Sequence, residues 1–384
     1  MKNPFEYGGV VGGSAFCNRQ KELTDLVRAM ENSEKLFVYS ERRLGKTSLI
    51  HYALAKLPRN NYASAYVDLW ATEGEISFVT ATAKAITESM SRNAEQLLET
   101  AKRLFTHLVP SITVDSEGKP KVTFGVSTER LHDPEMEEVL MAPTKIAGHG
   151  KKRVAVVFDE VQRILEYEND RVERRLRSII QKQEAVSYIF LGSRKHLIQQ
   201  MFLDKSRPLY RSAGHYPLGP ISTADWLPFI ADKFRTAGKQ IDDDTIVAVC
   251  RLTEGHPFYT QHLCHVLWEL CDAGGEVTQD SIKTGVRLLL ERESYAYTTL
   301  WDSLPLSQRR FLTSLATSSK GVKPFSAEFL QRHRLGPGST AQRAAQGLLQ
   351  RDLIDRDNGS FLISDRFFRI WIRQSQSEEL VLPK

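Results

Sequence analysis

A chain of 384 residues with 41% apolar and 26% charged side chains is long enough for two or three domains and has an ordinary globular composition. No apolar run approaches bilayer-spanning length and the opening residues lack the apolar stretch of a signal peptide, so membrane and exported classes are disfavoured and a cytoplasmic location is expected. The formal charge of +5 permits nucleic-acid binding without requiring it. Cys17, Cys250, Cys264 and Cys271 have neither metal spacing nor a disulfide pattern, and read as small buried apolar residues.

Residues 3–13 are Gly-rich and read as a loop, with Asn18 as the N-cap of a helix running to about Met30. Two readings stand for this entry. It is either an arm and a surface helix, or a loop packed near an adenine with Arg19 and Glu22 fixing it to the domain. The apolar run 36–39 then predicts a buried strand. It stops at Ser40, and Gly45, Lys46 and Thr47 open a helically spaced stretch to Lys56. Strand, loop, Gly-Lys-Thr and helix are the setting of a phosphate-binding loop. There, backbone N–H groups and a helix N-terminus surround a β-phosphate, Lys46 neutralises the β/γ oxygens and the Thr47 hydroxyl ligates Mg²⁺. The pattern G-x-x-x-x-G-K-[ST] is broken once. Ser40 stands for the first Gly, a position expected to need φ > 0 and so to cost serine something.

Residues 62–69 predict a second strand ending near Asp68, followed by helical spacing over 75–109 and a hairpin over 111–126 about a Gly-containing turn. A helix over 134–148 leads to five apolar residues without alternation, Val154 to Phe158, the pattern of a central parallel strand buried on both faces. Asp159 and Glu160 sit at its tip, where open α/β sheets bind ligands. Asp159 is expected to hold Mg²⁺ through water, and Glu160 to orient and deprotonate an attacking water. Residues 167–183 form a charged helix. The strand 186–194 ends in Gly192 and Ser193, whose hydroxyl is placed to touch a γ-phosphate or the attacking water. Arg211 precedes a last strand near 215–218. It either stabilises transition-state charge, in cis or across a subunit boundary, or makes a structural salt bridge.

A helical unit begins at Ser222, which caps with Asp225, and continues through 243–252 to the corner Gly255, His256, Pro257. Such a corner can set a helix N-terminus against a nucleotide, making the unit a lid. His256, His262 and His265 lack Cys or carboxylate partners at ligand spacing and read as packing or surface histidines. Helices over 306–315, 326–335 and 342–351, then two strands about Asn358-Gly359, make a winged helix-turn-helix. Residues 320–376 hold ten basic and five acidic side chains. The third helix offers only Arg343 and Arg351 beside three glutamines, so duplex DNA and a protein client both stand as partners of the wing. A terminal helix from Arg366 is expected to pack back onto the module.

With these pieces in order, the chain resembles the archaeal-type ATPase family of STAND-related AAA+ P-loop ATPases, and is similar in layout to archaeal origin-recognition proteins. The resemblance runs nearly end to end. It is carried by Asn3, Pro4 and Phe5 with Phe16 to Arg19, by Arg42 to Leu49, and by Val157 to Gln162 as the Walker B motif. Gly192-Ser193 matches the sensor position and Gly255-His256-Pro257 the Gly-x-Pro corner, while Pro208 to Arg211 lacks the Gly of the family's stretch. The implied fold is an α/β, AAA+ type P-loop parallel sheet followed by a helical lid domain and a winged helix-turn-helix domain. The implied domains are 1–220, with a helical and hairpin insertion over 75–148, then 221–298 and 299–384. The resemblance implies ATP and Mg²⁺ as cofactors, with Ser40, Arg42, Arg43, Leu44, Gly45, Lys46, Thr47, Ser48, Arg19 and Pro257 binding nucleotide. Thr47 and Asp159 would serve the metal, and Glu160, Lys46, Ser193 and Arg211 the chemistry. It implies slow or regulated hydrolysis and a nucleotide-driven domain rearrangement, while a homo-oligomer and a closed monomer both stand and no membrane partner is expected. The rival expectation is a DNA-binding regulator that holds ATP with little turnover.

Overall fold

The computed structural model describes residues 2–9, 12–13, 16–58, 60–91, 93–126, 133–150, 152–319, 321–357 and 360–375. The chain forms two compact units. One comprises Gln20–Ser40 and Leu49–Leu218, and the other Met1–Arg19, Glu41–Ser48 and Gly219–Lys384.

In chain order the first unit contains α1 (Gln20–Glu31), β1 (Lys35–Tyr39), most of α2 (Lys46–Lys56), β2 (Tyr62–Asp68), α3 (Glu75–Met90), α4 (Ala94–Leu104), β3 (Leu108–Val114), β4 (Pro120–Val126), α5 (Asp133–Gly150), β5 (Arg153–Asp159), a 3-10 turn (Val161–Glu166), α6 (Arg171–Ile180), β6 (Val186–Gly192), α7 (Lys195–Leu203) and β7 (Gly214–Pro217). Five strands form one parallel sheet in the order β2-β5-β6-β1-β7. Strand β6 is the middle strand and is buried along its whole length, and β5 beside it is buried from Val154 onward, as their apolar sequences require. Phe158 stacks on Tyr188 and Phe190 across neighbouring strands, and Phe37 stacks on Phe202 of α7 at 4.1 Å. The antiparallel pair β3–β4 is the predicted hairpin.

Three local expectations change. The helical stretch 75–109 is two helices, because Ser91 is extended and the Asn93 side chain accepts from the backbone of Gln96 to start α4. The charged helix predicted over 167–183 is shorter, since the chain first completes the 3-10 turn and then starts α6 at Arg171. Asn18 is not a cap. Asn18 and Arg19 both take left-handed φ, of 43° and 60°, and α1 starts at Gln20.

The second unit contains α8 (Thr223–Thr236), β8 (Gln240–Ile241), α9 (Asp243–Thr253), α10 (Pro257–Leu270), β9 (Glu276–Val277), α11 (Gln279–Asp302), α12 (Leu306–Thr317), α13 (Ala327–Arg332), α14 (Gly338–Gln350), β10 (Ile354–Asp357), β11 (Ser360–Ile363) and α15 (Arg366–Gln374). Its core is continuous from Phe5 and Trp226 through Leu263, Leu267 and Phe311 to Phe367 and Ile370. Ser222 caps α8 and Pro257 opens α10, as expected. Helices α12 to α14 with the antiparallel pair β10–β11 form the winged helix, and α15 packs on α11 and α12. The predicted turn at Asn358-Gly359 lies outside the described residues. No described helix is long and apolar enough to cross a membrane.

Candidate functional site

Parallel register sets the tips of three strands level in the sheet unit. Tyr39 pairs with Gly192, and Phe158 with Phe190, so Ser40, Ser193 and Glu160 leave the sheet at one edge. The tips of β1 and β5 stand two strand spacings apart, about 9.6 Å, with β6 between them. The sequence reading expected a left-handed residue at Ser40. Ser40 does not have positive φ. It is fully buried, and its N–H donates to the Gly192 carbonyl at 3.4 Å. The left-handed positions of the loop are Arg43, at 59°, and Gly45, at 84°, so serine at position 40 carries no backbone penalty.

Asp159 is buried at the end of β5. Its Oδ1 accepts the Glu160 N–H at 2.8 Å, and its Oδ2 accepts the Tyr66 hydroxyl of neighbouring β2 at 2.5 Å. These two bonds hold the carboxylate at the strand tip. Glu160 turns left-handed, with φ 52°, before the 3-10 turn. Its Oε2 accepts from the Ser193 Oγ at 2.9 Å and from the Gln162 Nε2. Ser193 and Glu160 thus touch each other. Arg211 is exposed with φ 49°, its guanidinium 5.3 Å from the Tyr210 ring centroid, and makes no ion pair among the described residues. The buried salt bridge of that segment belongs instead to Arg207, paired with Glu173.

In the other unit, the loop 41–48 is tied down at several points. Lys46 Nζ donates to the Glu41 carbonyl at 3.1 Å. Arg19 is buried and donates to the Leu44 carbonyl at 3.1 Å and the Gly219 carbonyl at 2.9 Å, so it does fix the entry segment to this loop. Arg43 lies 4.4 Å over the Phe258 ring, and Arg42 pairs with Asp352 at 3.2 Å. Arg366 at the start of α15 is 5% exposed; it pairs with Glu41 at 2.5 Å and with Glu254 at 3.2 Å, while Arg369 pairs with Glu254 at 2.8 Å. Nothing in the local sequence marked Glu41, Glu254 or Arg366 for this junction. Thr47 and Ser48 lie in the first turn of α2.

His256 Nε2 donates to the Arg42 carbonyl at 3.0 Å. Burial, followed by the charge of Arg366, pushes its pKa down to about 3, so it stays neutral. As pH falls below 6.5, the unfolded chain takes up a proton that folded His256 refuses until about 3. The residue therefore supports the fold above 6.5, and that support is lost as pH falls from 6.5 towards 3. Denaturant unfolding across that window should show falling stability, and His256→Gln should flatten the slope. Next to it, Gly255 has φ 64°, and a Cβ there would lie 2.3 Å from the Ile221 carbonyl oxygen. Gly255→Ala should lower stability by about 1–3 kcal/mol, read from the denaturant midpoint.

A parallel sheet with a Gly-Lys-Thr loop after one strand and an acid pair after another is the α/β P-loop ATPase fold, here with a helical C-terminal region and a winged helix. Residues 16–263, about two thirds of the chain, match the model of the ATPase domain predominantly from Archaea, and the chain belongs to that family. Residues 295–374 match a probable winged helix domain. Among solved structures, a Walker-type ATPase of Pyrococcus abyssi is similar, at 16% identity and a TM-score of 0.63, covering 94% of this chain and 96% of that one. The ORC2 protein of Aeropyrum pernix, solved as ADPNP-ADP complexes, is similar at 12% identity and a TM-score of 0.52, covering 93% and 94%. These likenesses are of fold. No curated protein sequence matches the chain.

Proposed function

We propose that the chain binds Mg-ATP, hydrolyses it slowly, and uses the nucleotide state as a STAND-type switch coupled to duplex DNA or a protein client through the winged helix. The observation that carries this reading is the level edge of the sheet. The loop with Lys46 leaves from the tip of β1, and Glu160 and Ser193 leave from the tips of β5 and β6. Lys46 would neutralise the β/γ oxygens, and Arg42, Arg43, Leu44, Gly45 and Ser48 would supply backbone N–H groups. Arg19 and Pro257 would hold the loop and the lid corner against the nucleotide, and Arg211 would answer charge developing in the transition state. Magnesium, when bound, neutralises charge on the β/γ oxygens. The Thr47 hydroxyl and the Asp159 carboxylate are the hard oxygen donors it prefers. The domain plan 1–220, 221–298 and 299–384 belongs to this proposal, as does a cytoplasmic setting.

Steady-state ATP turnover by the full chain, with and without duplex DNA, tests the reading. Lys46→Ala should remove turnover, by at least about 100-fold, which excludes a contaminant. Stimulation by DNA supports DNA as the wing's partner, and indifference to DNA directs attention to a protein client. Tight ATP binding without turnover would favour a regulator and sink the hydrolase.

A further inference from the structure

Gln162 is an unexpected residue for its surroundings. It lies on the 3-10 turn after β5, between the buried Val161 and Ile164 of the same turn, and is 1% exposed. A Leu or Met would fill such a place without desolvating an amide. Only one side of its amide is used. Nε2 donates to the Glu160 Oε2, and Oε1 has no hydrogen-bond partner among the described residues. Gly192 on the neighbouring strand leaves room for both Ile198 and Gln162, because a Cβ there would stand 1.7 Å from the Ile198 Cδ1 and 2.7 Å from the Gln162 Oε1. Glu160 thus has Oε2 held by two donors, Gln162 and Ser193, while Oε1 has no partner among the described residues.

We propose that Gln162 is a positioning residue for ATP hydrolysis. It and Ser193 grip one carboxylate oxygen of Glu160 so that the other faces the attacking water. The proposal rests on the ATPase reading. In that reaction the water oxygen bonds to the γ-phosphorus as the bond to the β–γ bridging oxygen breaks, and the water's proton passes to the Glu160 Oε1. The products are ADP and inorganic phosphate. A glutamate with two free oxygens would rotate between rotamers, and only a fraction of the molecules would present a base at the right place.

The test is ATP turnover by the full chain, paired with the dissociation constant of a fluorescent ATP analogue. Gln162→Leu, which keeps the volume, should lower kcat by about 10- to 100-fold, the usual effect of losing an orienting partner. Analogue affinity should stay within about 3-fold, less than 1 kcal/mol. Ser193→Ala loosens the same oxygen with a minimal change of shape and should act in the same direction, which covers the case where Gln162→Leu misfolds. Adding Gln162→Leu to Glu160→Gln should cost nothing further, because there is no base left to aim. The proposal is overturned if Gln162→Leu and Ser193→Ala keep wild-type kcat, if affinity falls in step with kcat, or if the loss persists in the Glu160→Gln background. A wild-type chain with no turnover overturns the ATPase reading itself, which separates the two failures.

Discussion

Glu160→Gln is expected to reduce ATP turnover by about 10²- to 10⁴-fold, the range supplied by a positioned general base, while ATP affinity is retained. Glutamine keeps the shape of the side chain and an oxygen able to accept from Ser193 and Gln162, so the edge of the sheet should stay as it is. What is lost is the capacity to take a proton. A trapped, ATP-loaded form of this variant would also be the one to use in comparing affinity for DNA. Turnover within about threefold of wild type would remove Glu160 from the chemistry and with it the reading of this edge as a hydrolytic one.

Arg366→Ala is expected to destabilise the chain by about 3–5 kcal/mol, the cost of removing one partner from a buried ion pair. Two carboxylates, Glu41 and Glu254, converge on this guanidinium, and Arg369 reaches only the second of them. The variant takes this guanidinium away from the half-buried Glu41 and Glu254. Adding Glu41→Gln should recover part of the loss, since one of the two carboxylates that Arg366 faced is then neutral. Denaturant unfolding of the two variants and the wild type measures both effects. A loss below about 0.5 kcal/mol would place the junction with ordinary surface pairs.

The parts of the fold that were legible in the sequence are those written locally. Val154 to Phe158 is apolar at every position, which suits only a strand covered on both faces. Gly45, Lys46 and Thr47 mark a loop because the phosphate-binding arrangement is made by consecutive backbone groups. Helix ends were less legible. The break at Ser91 interrupts an apolar period that continues on both sides, and only the Asn93 cap reveals it. The cost assigned to Ser40 came from a motif rule, and the loop meets the need for left-handed backbone at Arg43 and Gly45 instead. Gln162 closes the Walker B stretch Val157 to Gln162, yet nothing in one sequence separates an orienting amide from a solvated one. The ties from Glu41 to Arg366 and from Arg42 to Asp352 were invisible, the latter spanning 310 positions with no periodicity to connect its ends.

Glu41, Glu254, Arg366 and Arg369 carry two negative and two positive charges, so the junction is neutral only when complete. Drawing α15 away by a small amount would separate these charges where solvent reaches them only in part. The energy therefore rises steeply at first and falls only when all four side chains are hydrated. A junction of this kind does not yield by degrees. Whatever displaces the terminal helix from the loop 41–48 must do so cooperatively, in one concerted step with a defined threshold.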